Sequence, residues 1–228
     1  MVFGVGAGGT GIGDILRGRS SGSNGPSVSD AQKKVAAHPK DAAALRALAT
    51  ALENDGRADQ AIPILERYTR VRPKDAAALT ELATLNLSRA GKLRAAAQQA
   101  QVQAQSAAPD TSSFLPAATT PLGQAISSLP ITNAVSSQSQ TDFAQKVQKM
   151  QDAYRRTEQI YERLVVLQPE DASVQLQLGD AALNAGDTTV GLDAYKRFLE
   201  LAPDDPQAPL VKQQIKQIED SLKTSSGK

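Results

Sequence analysis

The stretch Pro39-Lys40-Asp41-Ala42-Ala43-Ala44-Leu45 recurs letter for letter 34 residues on, as Pro73-Lys74-Asp75-Ala76-Ala77-Ala78-Leu79. A shortened form opens again at Pro169-Glu170-Asp171 and at Pro203-Asp204-Asp205, also 34 residues apart. Each element has a physical task. Proline lacks an amide proton and disfavours helical geometry just before it, so it closes a helix. The aspartate two residues later is a good N-cap for the next one. Pro206, after Asp205, is expected at the first helical position, where proline is tolerated. A fixed period in the range of about 20–50 residues marks an array of small units, each burying its apolar side against the next.

Behind each start the apolar spacing predicts a pair of helices. In the first unit Leu45, Leu48 and Leu52 form a stripe, with Ala49 where helices approach closely; Asp55-Gly56 turns, and Ala61, Leu65 and Tyr68 line the second helix up to Pro73. The second unit reads Leu79, Leu82, Ala83, a turn at Ala90-Gly91, then Ala95. The last reads Leu178, Gly179, a turn at Ala185-Gly186, then Gly191, Tyr195, Phe198 and Pro203.

This order resembles the tetratricopeptide family: a large residue, Leu-Gly, an aromatic, a later Ala, a Phe and a closing Pro. The match covers 42–75, with Leu52 in the aromatic slot, and 172–205. It weakens within 76–107, where Asn86 and Gln99 fill slots that are usually large and apolar and Ala107 replaces the closing proline. The resemblance spans about 29–107 and 150–224 of the chain and implies an all-α fold, an α-solenoid of antiparallel helix pairs.

Four segments are expected. Residues 1–28 are Gly- and Ser-rich, with no charge before Asp14, and read either as the remnant of a membrane anchor or as a tail. Residues 29–106 hold the N-terminal repeats, with Ser29 capping a short leading helix through Ala37. Residues 107–140 form a nearly neutral insert in which Pro109, Pro116, Pro121 and Pro130 interrupt any helix, save for a short one near 122–128. Residues 141–224 hold one long helix, the last repeat and a capping helix. The long helix follows from Phe143, Val147, Met150, Tyr154, Thr157, Tyr161 and Leu164, at steps of four and three. Ser139 and Asp142 suggest its capping box. It reads as a whole repeat fused into one helix. In the terminal helix Leu210, Ile215, Ile218 and Leu222 are expected on one buried face, as a solenoid end requires.

Composition narrows the function. Twenty-five basic residues stand against 24 acidic ones, a net charge of +1, so the electrostatic footprint of a nucleic-acid binder is missing. With no cysteine and His38 as the sole histidine, thiolate or polyhistidine metal sites and cysteine nucleophiles are excluded. His38, at a helix end, suits the negative pole of the helix dipole. Gly4, Gly6 and Gly9 have the spacing of a dinucleotide-binding turn but lack the strand before and the helix after that such a turn needs. No cofactor and no catalysis are expected. The first thirteen residues would span about 20 Å as a helix, short of a bilayer, so no complete membrane span or signal peptide is read; a cytoplasmic or membrane-tethered chain is expected.

What remains is binding. The resemblance implies a groove lined by first-helix residues that lie between the packing positions, binding a protein or peptide. Carried over to this chain, these are Arg46, Thr50, Glu53 and Asn54, then Thr80, Thr84 and Ser88, then Leu176, Asp180 and Asn184. The rival reading is a self-assembling subunit, a homo-oligomer built through the insert or the 141–168 helix.

Overall fold

The computed structural model of the chain describes residues 27–106, 120 and 130–226, and every regular element among them is a helix. In order these are α1 (Val28–Ala37), α2 (Ala42–Asn54), α3 (Ala58–Val71), α4 (Ala76–Ser106), α5 (Pro130–Leu167), α6 (Ala172–Ala185), α7 (Thr188–Leu201) and α8 (Ala208–Ser226). Consecutive helices pack on one another throughout, and α4 and α5 share the most extensive contact. The chain is thus an α-helical repeat solenoid.

The aspartates of the repeated motif act as caps. Asp41 Oδ1 accepts the Ala43 amide at 2.9 Å, Asp75 Oδ1 accepts that of Ala78 at 3.0 Å, and Asp171 Oδ1 takes those of Ser173 and Val174. In the first unit Leu45, Leu48, Leu52 and Ala61 pack together and against Ala31 and Val35 of α1. The cap of α1 is Ser27, whose Oγ accepts the Asp30 amide, so Ser29 lies inside the first turn instead of ahead of it. The two outer units turn on glycines in the left-handed region, Gly56 at φ 72° and Gly186 at φ 92°. Only glycine adopts that conformation without steric cost.

The middle unit departs from expectation. Ala90-Gly91 makes no turn, and α4 runs through it to Ser106. The cause lies one residue away. Gly56 and Gly186 each stand fifteen residues beyond their capping aspartates, Asp41 and Asp171; fifteen beyond Asp75 stands Ala90, whose Cβ resists a left-handed φ. Gly91 is one place late for the turn and stays helical.

The second helix of this unit is supplied by α5. Counting back from its closing Pro169 as from Pro73 and Pro203, the packing slots fall on Thr157, Tyr161 and Leu164, and all three are buried. Tyr161 and Leu164 share the main core with Leu79, Leu82 and Ala83 of α4, Ile62 and Leu65 of α3, and Val174 and Leu178 of α6. Arg156 of α5 pairs with Glu66 of α3 at 2.7 Å, and the Arg163 guanidinium donates to the Thr69 carbonyl at 3.1 Å. The second half of α5 is therefore the partner of α4, and no separate repeat is fused into it. Gln99 sits exposed beyond the unit and fills no packing slot, whereas Asn86 is fully buried, its Nδ2 donating to the Leu82 carbonyl.

Helix α5 starts at Pro130, eleven residues before position 141, so its first turns fall within the expected insert. Pro130 opens the helix instead of interrupting it, because a proline at the first helical position forfeits no hydrogen bond. Ser139 and Asp142 lie inside α5 and cap nothing. At 1.5 Å per residue the 31 residues of α4 span about 46 Å, against about 20 Å for the 13 of α2. The excess packs along α5: from the base, where Ala90, Ala153 and Tyr154 cluster with Leu87, Leu93 and Met150, the seam continues on α4 through buried Ala97 and Ala100. The turn of the middle unit has opened into a two-helix arm. The short helix expected near 122–128 and the glycine-rich start lie outside the described residues.

At the C-terminal end Pro206 lies in the turn before α8, where Asp205 accepts the Gln207 amide at 2.7 Å. Ala208 and Val211 bury against Tyr195 and Phe198, with Ile215 alongside. Leu210 and Leu222, expected on the buried face, point outward.

Candidate functional site: the face of the first helices

Helices α2, α4 and α6 each open a unit, and residues outside their packing stripes recur on one face. Thr50 and Asn54 on α2, Thr80, Thr84 and Ser88 on α4, and Asp180 and Asn184 on α6 are all exposed. The Thr80 and Thr84 hydroxyls donate back to the Ala76 and Thr80 carbonyls, which leaves their oxygens as acceptors. The face is stitched between units at two places. Arg46 Nη2 donates to Glu81 Oε2 at 2.5 Å, joining α2 to α4. Arg94 Nη2 donates to Asn184 Oδ1 at 2.9 Å, joining the base of the arm to α6, and stacks over the Tyr154 ring at 5.4 Å.

Leu176 does not belong to this face. It is 6% exposed and packs with Tyr195, Phe198, Ala208 and Val211. The position that carries Arg46 in the first unit is sealed by α8 in the last, which the repeat phase alone does not reveal. Asp180 accepts the Tyr195 hydroxyl at 2.6 Å, and burial together with this bond holds the Tyr195 phenol well above its usual range.

The charged end of the face is built around Arg46. Its guanidinium lies over the Tyr68 ring at 5.9 Å, and Tyr68 in turn donates to Asp75 Oδ2 at 2.6 Å. That bond and the Ala78 amide hold the Asp75 carboxyl below the usual range. Two turns along α2, Glu53 is part-buried beside Glu81. Burial, reinforced by the Glu81 carboxyl and only partly offset by Arg46, pushes Glu53 up to about 7. Glu53 Oε1 and Arg46 Nη1 are both buried without a hydrogen-bond partner among the described residues. Beside Arg46 an open hollow of about 670 Å³ lies between the start of α2 and the end of α3, walled by Ala42, Ala43, Val71 and Pro73, with Arg46, Arg72 and Lys74 on its rim.

Glu81 and Tyr68 were not legible as members of this group. Glu81 sits one residue beyond the 34-residue image of Arg46, and that offset is the only signal that could have marked it as the guanidinium's partner. Among the described residues no group of three or more acidic or histidine side chains could hold a metal ion, and no helix is long and apolar enough to cross a membrane.

Helix pairs stacked in series, with the first helix of each contributing to one shared face, define a helical-repeat interaction scaffold. Two family models, each described as a tetratricopeptide repeat, match residues 35–85 and 149–216, the latter taking in the inner half of α5. The chain belongs to the tetratricopeptide-repeat proteins. Two crystal structures, of MamA protein and of MamA, are each similar to it at 17% identity and a TM-score of 0.27, over 79% of this chain and 83% and 89% of theirs. Among curated proteins, no sequence matches this chain.

Proposed function

We propose that the face shared by α2, α4 and α6 binds an extended segment of a protein partner. Tetratricopeptide-repeat proteins generally act as non-enzymatic scaffolds for protein partners, and the reading rests on one observation: polar side chains recur at equivalent positions of successive units. Thr50 and Thr84, and Asn54 and Ser88, are exposed 34 residues apart. A ladder of small hydroxyl and amide groups at the spacing of stacked helices suits the backbone of an extended chain, which offers a donor and an acceptor at every residue. Arg46 and the hollow beside it add a charged and an apolar anchor at one end.

A photocrosslinking residue at Thr50 or Thr84 tests this, with Gln60 on α3 as the control. The partner is expected to crosslink from the two threonine positions and not from Gln60. Equal yields from all three, or none from the threonines, would reject the face.

One observation favours the rival reading, self-association through the arm. Val102 is 61% exposed on α4, and Phe143, Val147 and Met150 stay half-buried on α5. Light scattering over a range of concentrations separates the two: a mass fixed at one chain excludes association through the arm.

A further inference from the structure

We propose that the hollow between α5 and the α6–α7 turn, into which Glu158 projects, is a second binding site, one that accepts an alkylammonium group. Four features of its construction converge on that chemistry.

Glu158 is 7% exposed and lines a space of about 480 Å³ together with Arg155, Ala185, Gly186, Asp187, Thr188 and Thr189. No donor or cation among the described residues is within bonding distance of its carboxyl. Burial of most of the residue raises the cost of carrying its charge, and such charges are usually paired for that reason.

The surroundings do not supply the missing cation. Arg155 lines the hollow, but its guanidinium is turned to Asp152 at 2.8 Å. From the facing turn comes Asp187, one oxygen of which accepts the Val190 amide at 2.9 Å as the cap of α7. Glu162, one turn along α5, adds a further negative charge. Burial, then Asp187 and Glu162, hold Glu158 above the usual carboxylate range, with Arg155 opposing. An incoming cation offsets those unfavourable effects by direct attraction.

The donor set selects among cations. Calcium takes six to eight oxygens in a shell, and no such cluster of acidic groups is assembled among the described residues. An ammonium needs only two or three acceptors. Glu158 and the second oxygen of Asp187 provide two, and the hydroxyls of Thr188 and Thr189 border the same space. Ala185 and Gly186 form an apolar wall for the methylene stem, as lysine side chains prefer. The site lies at the α6–α7 turn, away from the Arg46 end of the polar face, and would engage a lysine of a partner protein or a free polyamine.

The carboxyl carbon signal of Glu158 in the 228-residue chain, assigned by comparison with E158Q, reads the site directly. Its titration midpoint is followed alone and with a lysine-containing tripeptide, spermidine or calcium chloride. Both ammonium probes are expected to lower the midpoint toward the ordinary glutamate range; the stronger of the two identifies the source. E158Q keeps the shape while removing the charge, should melt no lower than the parent, and should bind the ammonium probes about tenfold more weakly or worse. D187N keeps the capping oxygen, should show a smaller loss, and serves as the comparison if E158Q does not fold. A midpoint unmoved by either ammonium, a midpoint moved by calcium alone, or undiminished binding to both variants would overturn the proposal.

Discussion

The outer units and the middle unit solve one problem in two ways. In the first and last, the chain reverses within a residue or two at a glycine in the left-handed region, Gly56 or Gly186. In the middle unit the same place holds Ala90, fully buried between α4 and α5, and the reversal is deferred past Ser106. All three units nevertheless end with the same helix-on-helix packing. A helix pair is therefore defined by its facing slots and its caps, and the connection between the helices is free to change.

The largest test of that comparison falls on the slot itself. Tyr161 in α5 occupies the place that Leu65 takes in α3 and Tyr195 in α7. Tyr161→Ala and Leu65→Ala should each destabilise by about 3–5 kcal/mol in urea unfolding. A loss below about 1 kcal/mol for Tyr161→Ala, the range of ordinary surface changes, would mean that α5 does not complete the middle unit.

Next come the turns. Gly56→Ala and Gly186→Ala place a Cβ in a left-handed conformation and should each lose about 1–2 kcal/mol of stability, although no atom crowds either position. Equal stability of parent and variants would show that these turns tolerate a side chain, and the account of Ala90 would fail with them.

The two joints between units also differ, one carrying a part-buried carboxyl against a second carboxyl and the other a neutral amide. Folded Glu53 sits near 7 against an ordinary value of 4.5, so it binds its proton more tightly in the folded state. Its contribution to stability is present in full below about pH 4.5 and is lost as pH rises through 7. Glu53→Gln should remove that slope and raise stability above neutrality by about 1–2 kcal/mol, allowing for solvent screening. Denaturant midpoints at several pH values would read it; the same slope in both proteins would assign it elsewhere. The Arg94–Asn184 joint, with no carboxylate, should show no such dependence.

The smallest effect has the opposite sign. Gly91 is exposed in the interior of α4 with nothing within 4 Å of an added Cβ. Gly91→Ala should stabilise by about 0.5–1 kcal/mol through helix propensity. Destabilisation on thermal unfolding would show that Gly91 has a conformational duty.

The repeat could be read from the chain because the Pro-x-Asp starts act locally: a missing amide and a short carboxylate determine where helices end and begin. Asp41, Asp75 and Asp171 cap as their spacing requires. The middle unit misled because a turn dipeptide, Ala90-Gly91, is present but one residue out of phase, and only a count from Asp75 exposes the slip. Pro130 misled for the complementary reason, since one residue both breaks helices and begins them. The polar face was legible as positions, whereas Leu176 was not. Its burial depends on α8, whose inward residues are Val211 and Ile215, not the Leu210 and Leu222 that a tally of apolar spacing selects. The pairing of Arg46 with Glu81 is a contact across units, and helical periodicity carries no information about such contacts.

The deferred turn has a consequence for how the protein acquires its shape. Ala49 and Leu65 share a core across 16 residues of chain, whereas Leu79 and Leu164 share it across 85. Closing the longer loop costs only about 1.5 kcal/mol more in chain entropy, no more than one buried leucine returns. The thermodynamic burden is slight, but the kinetic one is not, because distant pairings form late. The outer units can assemble from local contacts alone. The centre of the solenoid must wait for α4 and α5 to find each other, so the piece that joins the two ends is the last to be made.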